Sequence, residues 1–158
     1  MLRIALAVLH LFALAFGPAS VYVRGRALSE RPLTIASVSR AFVADSWWGA
    51  AAGLWITTGL WRLLAGSEKS TAYYLSNRFF MAKMSILIVI LVLEIWPMIT
   101  LTRWRKALKK SAETWSPDER AATWITKTSY IQVVLVLLMV VAAVSMARGY
   151  GIAADEIR

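Results

Sequence analysis

The chain has 158 residues, 59% of them hydrophobic and 17% charged, with a mean hydropathy of +0.59 and a formal net charge of +9. A soluble domain of this size has too high a surface-to-volume ratio to hide so much apolar surface, so the composition predicts a membrane protein. The lack of cysteine excludes disulfides, thiolate metal sites, iron–sulfur clusters and covalent c-type haem, and a single histidine excludes HExxH and two-histidine metal sites.

A hydrocarbon core of about 30 Å takes roughly 20 residues of helix to cross. In chain order, the first candidate span is about 2–23. "MLRIALAVLHLFALAFGPAS" has the basic start and apolar middle of a secretory signal, yet the apolar run continues to Val23 and is followed by Arg24 and Arg26, which predicts an uncleaved span. In "RALSERPLTIASVSRAFVADS" (26–46), Ile35, Val38, Phe42 and Val43 recur at helical spacing, predicting a short surface helix that runs into the second span at about 45–66. "GSEKSTAYYLSNR" (66–78) reads as a short outer loop with Tyr73 and Tyr74 at the interface. The third span is about 79–101. "SAETWSPDERAAT" (111–123) contains a helix start with Ser116 as N-cap, Pro117 first and Glu119 three residues after the cap, leading to the fourth span at about 124–147. The expectation is an all-α membrane protein, a four-transmembrane-helix bundle with short loops, forming one integral membrane domain over 1–158.

The positive charge is distributed as in a membrane protein, and nucleic acid is not an expected partner. Arg24, Arg26, Arg31 and Arg40 follow the first span, and Arg103, Arg105, Lys106, Lys109, Lys110, Arg120 and Lys127 follow the third, 11 basic residues in two loops. The other side carries Arg3, Arg62, Lys69, Arg78, Arg148 and Arg158, which is 6. The positive-inside rule then places both basic loops in the cytoplasm and both termini in the periplasm, for a multi-pass protein of the bacterial inner membrane. "TRWRKALKK" (102–110) reads as an anchor on anionic membrane lipid, with a specific binding patch as the lesser alternative. Trp47, Trp48, Trp96, Trp104 and Trp124 mark the inner interface and Trp61 the outer one, an aromatic belt without chemistry.

"MAKMSILIVILVLEIWP" (81–97) places Lys83 and Glu94 inside an apolar run. Eleven residues apart, they lie about 20° from each other on one helix face and about 16 Å apart in height. His10, Ala13, Gly17, Ser20 and Arg24 form a similar stripe on the first span, and Asp45, Trp48, Ala52, Trp55, Gly59 and Arg62 on the second. Such faces point into a bundle, because lipid offers no hydrogen bonds, and ordinary helix packing accounts for them as well as a site does. Lys83 is close enough to the outer end to snorkel. Glu94 is too deep for that, so it has to be neutral, paired or in a wet cavity. Tyr130 and Gln132 of the fourth span, Trp55, and the Leu14 carbonyl freed by Pro18 lie at matching depth. A structural polar knot and a proton or cation site are the two readings of Glu94. His10 faces the same interior in the outer leaflet, as a packing residue or as an axial ligand to haem or a metal. Lys83, Met81, Met84 or a second subunit of a homo-oligomer would then complete the coordination.

"LHLFALAFG" (9–17), "ADSWWGAAAGLWITTGLWRLLAGSEKSTAYYLSNRFFMAKM" (44–84), "LEIWPMITLTRWR" (93–105) and "ARGYG" (147–151) resemble the uncharacterised bacterial membrane family catalogued as domain of unknown function 2214. That resemblance implies no activity. More distantly, the early histidine and "AKMSILIVILVLEI" resemble a wider group that includes the copper-resistance protein CopD and the HemJ-type protoporphyrinogen oxidase. There an intramembrane histidine and lysine are associated with haem, and His10 and Lys83 are the corresponding positions. The tryptophan and YLPR-like segment of the HemJ first span are missing and Glu94 stands at a commonly non-acidic position, so the oxidase reaction is not implied.

Two functions with chemistry follow, and a third without. The first is a pocket for haem b or a porphyrin between the first three helices, with His10 as ligand, Lys83 as second ligand or propionate partner and Trp55 as a wall. The second is a small proton-linked carrier using Glu94, with Asp45 and Arg24 at its inner gate. The third is a structural or assembly role.

Overall fold

The computed structural model describes residues 1–64, 76–111 and 115–151. Four helices account for nearly all of them: α1 (Leu2–Ser29), α2 (Ile35–Leu64), α3 (Arg78–Lys110) and α4 (Glu119–Ala147). At 1.5 Å per residue their 28 to 33 residues give lengths of about 42–50 Å, so each is longer than a hydrocarbon core is thick. The protein is an all-α membrane protein. Segments of α1 (Ile4–Ser29), α3 and α4 are long and apolar enough to cross a bilayer. The second is not among them: its tryptophans, glycines and threonines hold its mean hydropathy down.

The helix ends follow local chemistry. Thr34 and Ser37 cap α2 reciprocally, the Ser37 N–H donating to Thr34 Oγ1 and the Thr34 N–H to Ser37 Oγ, each at 3.1 Å. The stretch from Ile35 thus runs into α2 without a break, as its periodicity predicts. Asn77 Oδ1 accepts from the N–H groups of Phe79 and Phe80 at the start of α3. At α4 the sequence expectation is off by two residues. Asp118, not Ser116, is the N-cap, its carboxylate accepting from Arg120 and Ala121 N–H at 2.8 and 3.4 Å. A carboxylate also complements the positive helix end, which a serine does not. Residues Tyr73 and Tyr74 lie outside the described residues.

Burial is sorted as a lipid solvent demands. Phe12, Phe16, Ile88, Val92, Leu137 and Val141 are exposed, whereas Arg24, Ser37, Thr58, Asn77, Ser129 and Gln132 are buried. One apolar cluster ties the end of the bundle that holds the C-termini of α1 and α3, termed the inner end as opposed to the outer one with their N-termini, through Leu28, Val38, Leu101, Trp104, Ala122 and Ile125. A second, with Val21, Trp48, Trp55, Ile90, Val136 and Met139, fills the middle. Helix α1 packs along α2 and α4, and α4 along α3, but α2 and α3 scarcely touch. The seam between those two is therefore open, and this gap positions the site.

Candidate functional site

Arg24 is the centre of the inner half of the bundle, with a side chain wholly buried. A guanidinium has five N–H donors in a planar fork, and here all five are used. Nε donates to Ser129 Oγ (3.0 Å), Nη1 to Asp45 Oδ1 (2.9 Å) and Glu94 Oε1 (2.6 Å), and Nη2 to Glu94 Oε2 (3.0 Å) and Gln132 Oε1 (2.8 Å). Gln132 in turn donates to Glu94 Oε2 at 2.8 Å and to the Ile90 carbonyl at 3.3 Å. Arg105 reaches from the inner end of α3 to Asp45 Oδ2 at 3.2 Å. Two cations and two carboxylates from α1, α2 and α3 thus form a neutral cluster, to which α4 adds Ser129 and Gln132. Such a cluster meets the condition for burying charge, since every ion is paired and hydrogen-bonded.

The sequence reading places Glu94 in the interior with Gln132, and the structure brings the two together. It does not bring in Tyr130, which packs on Tyr22 (5.8 Å between centroids) and against Gly25. Leu14 packs against the middle apolar cluster and lines a cavity on the His10 side of the bundle. Arg24 is the correction of most consequence. In the sequence it stands on the interior-facing stripe of the first span and is also counted with the loop charges. It is no loop charge, since it lies five residues inside α1, which continues to Ser29. Helical side chains lean toward the N-terminus, so the long arginine stem runs back into the bundle. Asp45 and Arg24 belong to one cluster with Glu94, not to a separate gate. Arg105 and Ser129 were not singled out by sequence reasoning. Both face the cluster, and only a contact across helices could have identified them.

The outer half holds His10. Trp55 Nε1 donates to His10 Nε2 at 2.7 Å, and His10 Nδ1 lies 2.9 Å from Thr58 Oγ1. An indole N–H can only donate, so Nε2 is the bare nitrogen and the proton sits on Nδ1. Thr58 accepts it and passes its own hydroxyl proton to the Leu54 carbonyl at 2.7 Å. The three side chains form a one-way relay across α1 and α2. Trp55 is thus a donor as well as a wall.

His10, Trp55, Gly59, Phe80 and Lys83 line a cavity of about 90 Å³ between α2 and α3, and also a wider one of about 400 Å³ that extends along α4 to Met139 and Ala147. A third, about 30 Å³, continues the α2–α3 seam inward between Trp48, Trp55, Ile90 and Glu94. Lys83 and Glu94 therefore lie at the two ends of one seam. Its lipid side is edged by Leu60 and Leu91, both exposed.

The fit of these residues to haem iron or another metal can be judged directly. Both His10 ring nitrogens are engaged, and coordination through Nε2 would displace the Trp55 indole. No group of three His, Cys, Asp or Glu side chains is assembled among the described residues. The arrangement does not fit His10 as an iron or metal ligand.

No curated protein and no solved structure matches the chain. The model of the family described as "Predicted membrane protein (DUF2214)" matches residues 2–151, nearly the whole sequence, and the chain belongs to that family.

Proposed function

We propose that the protein is an intramembrane binding protein for an apolar molecule with an acidic head, taken sideways from the bilayer into the seam between α2 and α3. The observation that carries this reading is the open seam itself. Its walls are Trp55, Ile56, Leu60, Leu87 and Met84, and its outer end carries the ammonium of Lys83. The wider cavity that shares His10 and Lys83 falls within the size range of small-molecule sites, about 300–1,000 Å³. Lys83 supplies a charge for a carboxylate, and the His10–Trp55–Thr58 relay holds the floor rigid. A porphyrin belongs to this ligand class through its propionates, not through iron ligation by His10.

The setting is a four-pass bundle in the bacterial inner membrane with both termini periplasmic. Arg24 is interior and drops out of the count of loop charges, which leaves 10 basic residues against 6 and the same orientation.

A second reading is supported by one observation. Glu94 borders the inner, 30 Å³ part of the seam, room for about one or two waters, which a proton-linked carrier would use. Against it stands the engagement of both Glu94 oxygens by Arg24 and Gln132, which favours a fixed structural cluster.

The test uses the protein in lipid nanodiscs and a dibrominated long-chain fatty acid, whose bromines quench nearby tryptophan. Saturable quenching is expected, weakened about tenfold by Lys83→Gln, the effect of one charge-assisted hydrogen bond. The brominated methyl ester, lacking the charge, should quench without saturating. Equal quenching by acid and ester ends the reading and leaves the structural or carrier roles.

A further inference from the structure

The inner mouth of the same seam carries a different feature. Phe42, Val43 and Ser46 of α2 face Arg105, Leu108 and Lys109 of α3 across a trough of about 310 Å³. Arg105 is partly committed there: Nη2 donates to Asp45 and to the Phe42 carbonyl, and the guanidinium lies 5.2 Å from the Phe42 ring centroid. These contacts fix its plane. Its Nε, however, is buried and, among the described residues, is the one buried side-chain nitrogen or oxygen without a hydrogen-bond partner. Leaving such a donor unmade is costly, so a missing acceptor is implied.

We propose that this trough is a binding site for the phosphate of an anionic phospholipid. Arg105 leaves its Nε–H for a single phosphate oxygen, a charge-assisted hydrogen bond. Lys109, one turn further on the same face, adds a second cation, and the Ser46 hydroxyl lies beside them. The charge balance points to an anion as well. Arg24, Arg105, Asp45 and Glu94 cancel, which leaves Lys109 as the net charge at the trough. The walls point to a lipid: Val43 and Leu108 continue the groove as apolar surface on which an acyl chain can lie. The site stands at the end of α3 within the basic run 103–110, at headgroup level for a helix of this length. It does not depend on the ligand seam being occupied.

Native mass spectrometry of the detergent-purified protein, titrated with phosphatidylglycerol and with phosphatidylcholine of the same acyl chains, tests the proposal. Phosphatidylglycerol should be retained preferentially, and Lys109→Gln should weaken it about tenfold. Lys106→Gln and Lys110→Gln remove the same charge from other faces of the helix and should leave retention unchanged. Equal retention of the two lipids overturns the site. So does an equal loss in all three variants, which would mark a diffuse basic belt. Competition by free glycerol phosphate as effective as by the lipid overturns the assignment to a membrane lipid.

Discussion

Arg24 and Glu94, 70 residues apart in sequence, meet through two parallel N–H···O bonds of 2.6 and 3.0 Å. Each is further tied to Gln132, so one hydrogen-bonded unit joins α1, α3 and α4. In lipid no water is at hand to take over a broken bond, and the pair therefore fixes how these helices turn relative to each other.

Removing one partner strands the other as a buried charge, at a cost of about 3–5 kcal/mol. Arg24→Leu and Glu94→Leu should each lower the thermal midpoint in detergent strongly. Glu94→Gln should fall between them and wild type, because an amide turns one acceptor into a donor that faces Arg24 or Gln132. The double variant Arg24→Leu/Glu94→Leu should be more stable than either single one, since Asp45 keeps Arg105. Additive losses would contradict the paired-charge account.

How much of this the sequence discloses depends on the kind of signal. The class, three of the spans and the interior position of Glu94 follow from hydropathy and depth alone. Gln132 is legible as a polar residue at the right height on the fourth span. Arg24 is legible as part of an interior-facing stripe. Counting it with the loop charges goes astray because it ends an apolar run, where a charge usually meets water; that α1 continues to Ser29 is a tertiary fact. The indole–imidazole bond of Trp55 and His10 is equally hidden, because a helical wheel gives a face and not a partner. Arg105 disappears among the other bases of its run.

Gly25 sets how closely α1 approaches α4. A Cβ there would stand 3.1 Å from Ser129 Cβ and 3.3 Å from the Tyr130 ring, and Ser129 must stay close to reach Arg24. Gly25→Leu should destabilise by about 1–3 kcal/mol through overpacking. Gly53 has nothing within 4 Å, so Gly53→Ala should be neutral or stabilising by up to about 1 kcal/mol. Chemical unfolding of both variants in mixed micelles checks the contrast.

The outer ends of α3 and α4 are joined by the turn after α4. Asn77 Nδ2 donates to the Tyr150 carbonyl at 3.0 Å, and the Arg78 N–H to the Gly151 carbonyl at 3.0 Å. Gly151 has φ +94°, and a Cβ on it would lie 2.6 Å from the Phe79 ring. Gly151→Ala and Asn77→Ala should each loosen this end by about 1–2 kcal/mol. Faster amide exchange at Phe79 and Phe80, with the inner half unchanged, is the expected readout.

Reporter fusions decide orientation. A fusion after Gly66 should report the periplasm and one after Lys110 the cytoplasm. The same side for both would mean that α3 does not cross, and the reverse pattern would invert the charge argument.

The last prediction concerns the one histidine, which makes its ring signals unambiguous. Because Trp55 donates to Nε2 and Thr58 faces Nδ1, the ring should be a neutral tautomer with its proton on Nδ1. Nitrogen-15 NMR of histidine-labelled protein distinguishes the bare from the protonated nitrogen by their widely separated shifts. Trp55→Phe removes the donor and should let the ring populate the other tautomer, while Thr58→Val should remove the acceptor and destabilise the same form by about 1 kcal/mol. Haem added to the wild-type protein should leave both nitrogen signals in place if acidic ligands bind through Lys83 alone. Loss of the Nε2 signal on haem addition would show that iron can displace the indole, and His10 would then be a ligand despite its present bonds.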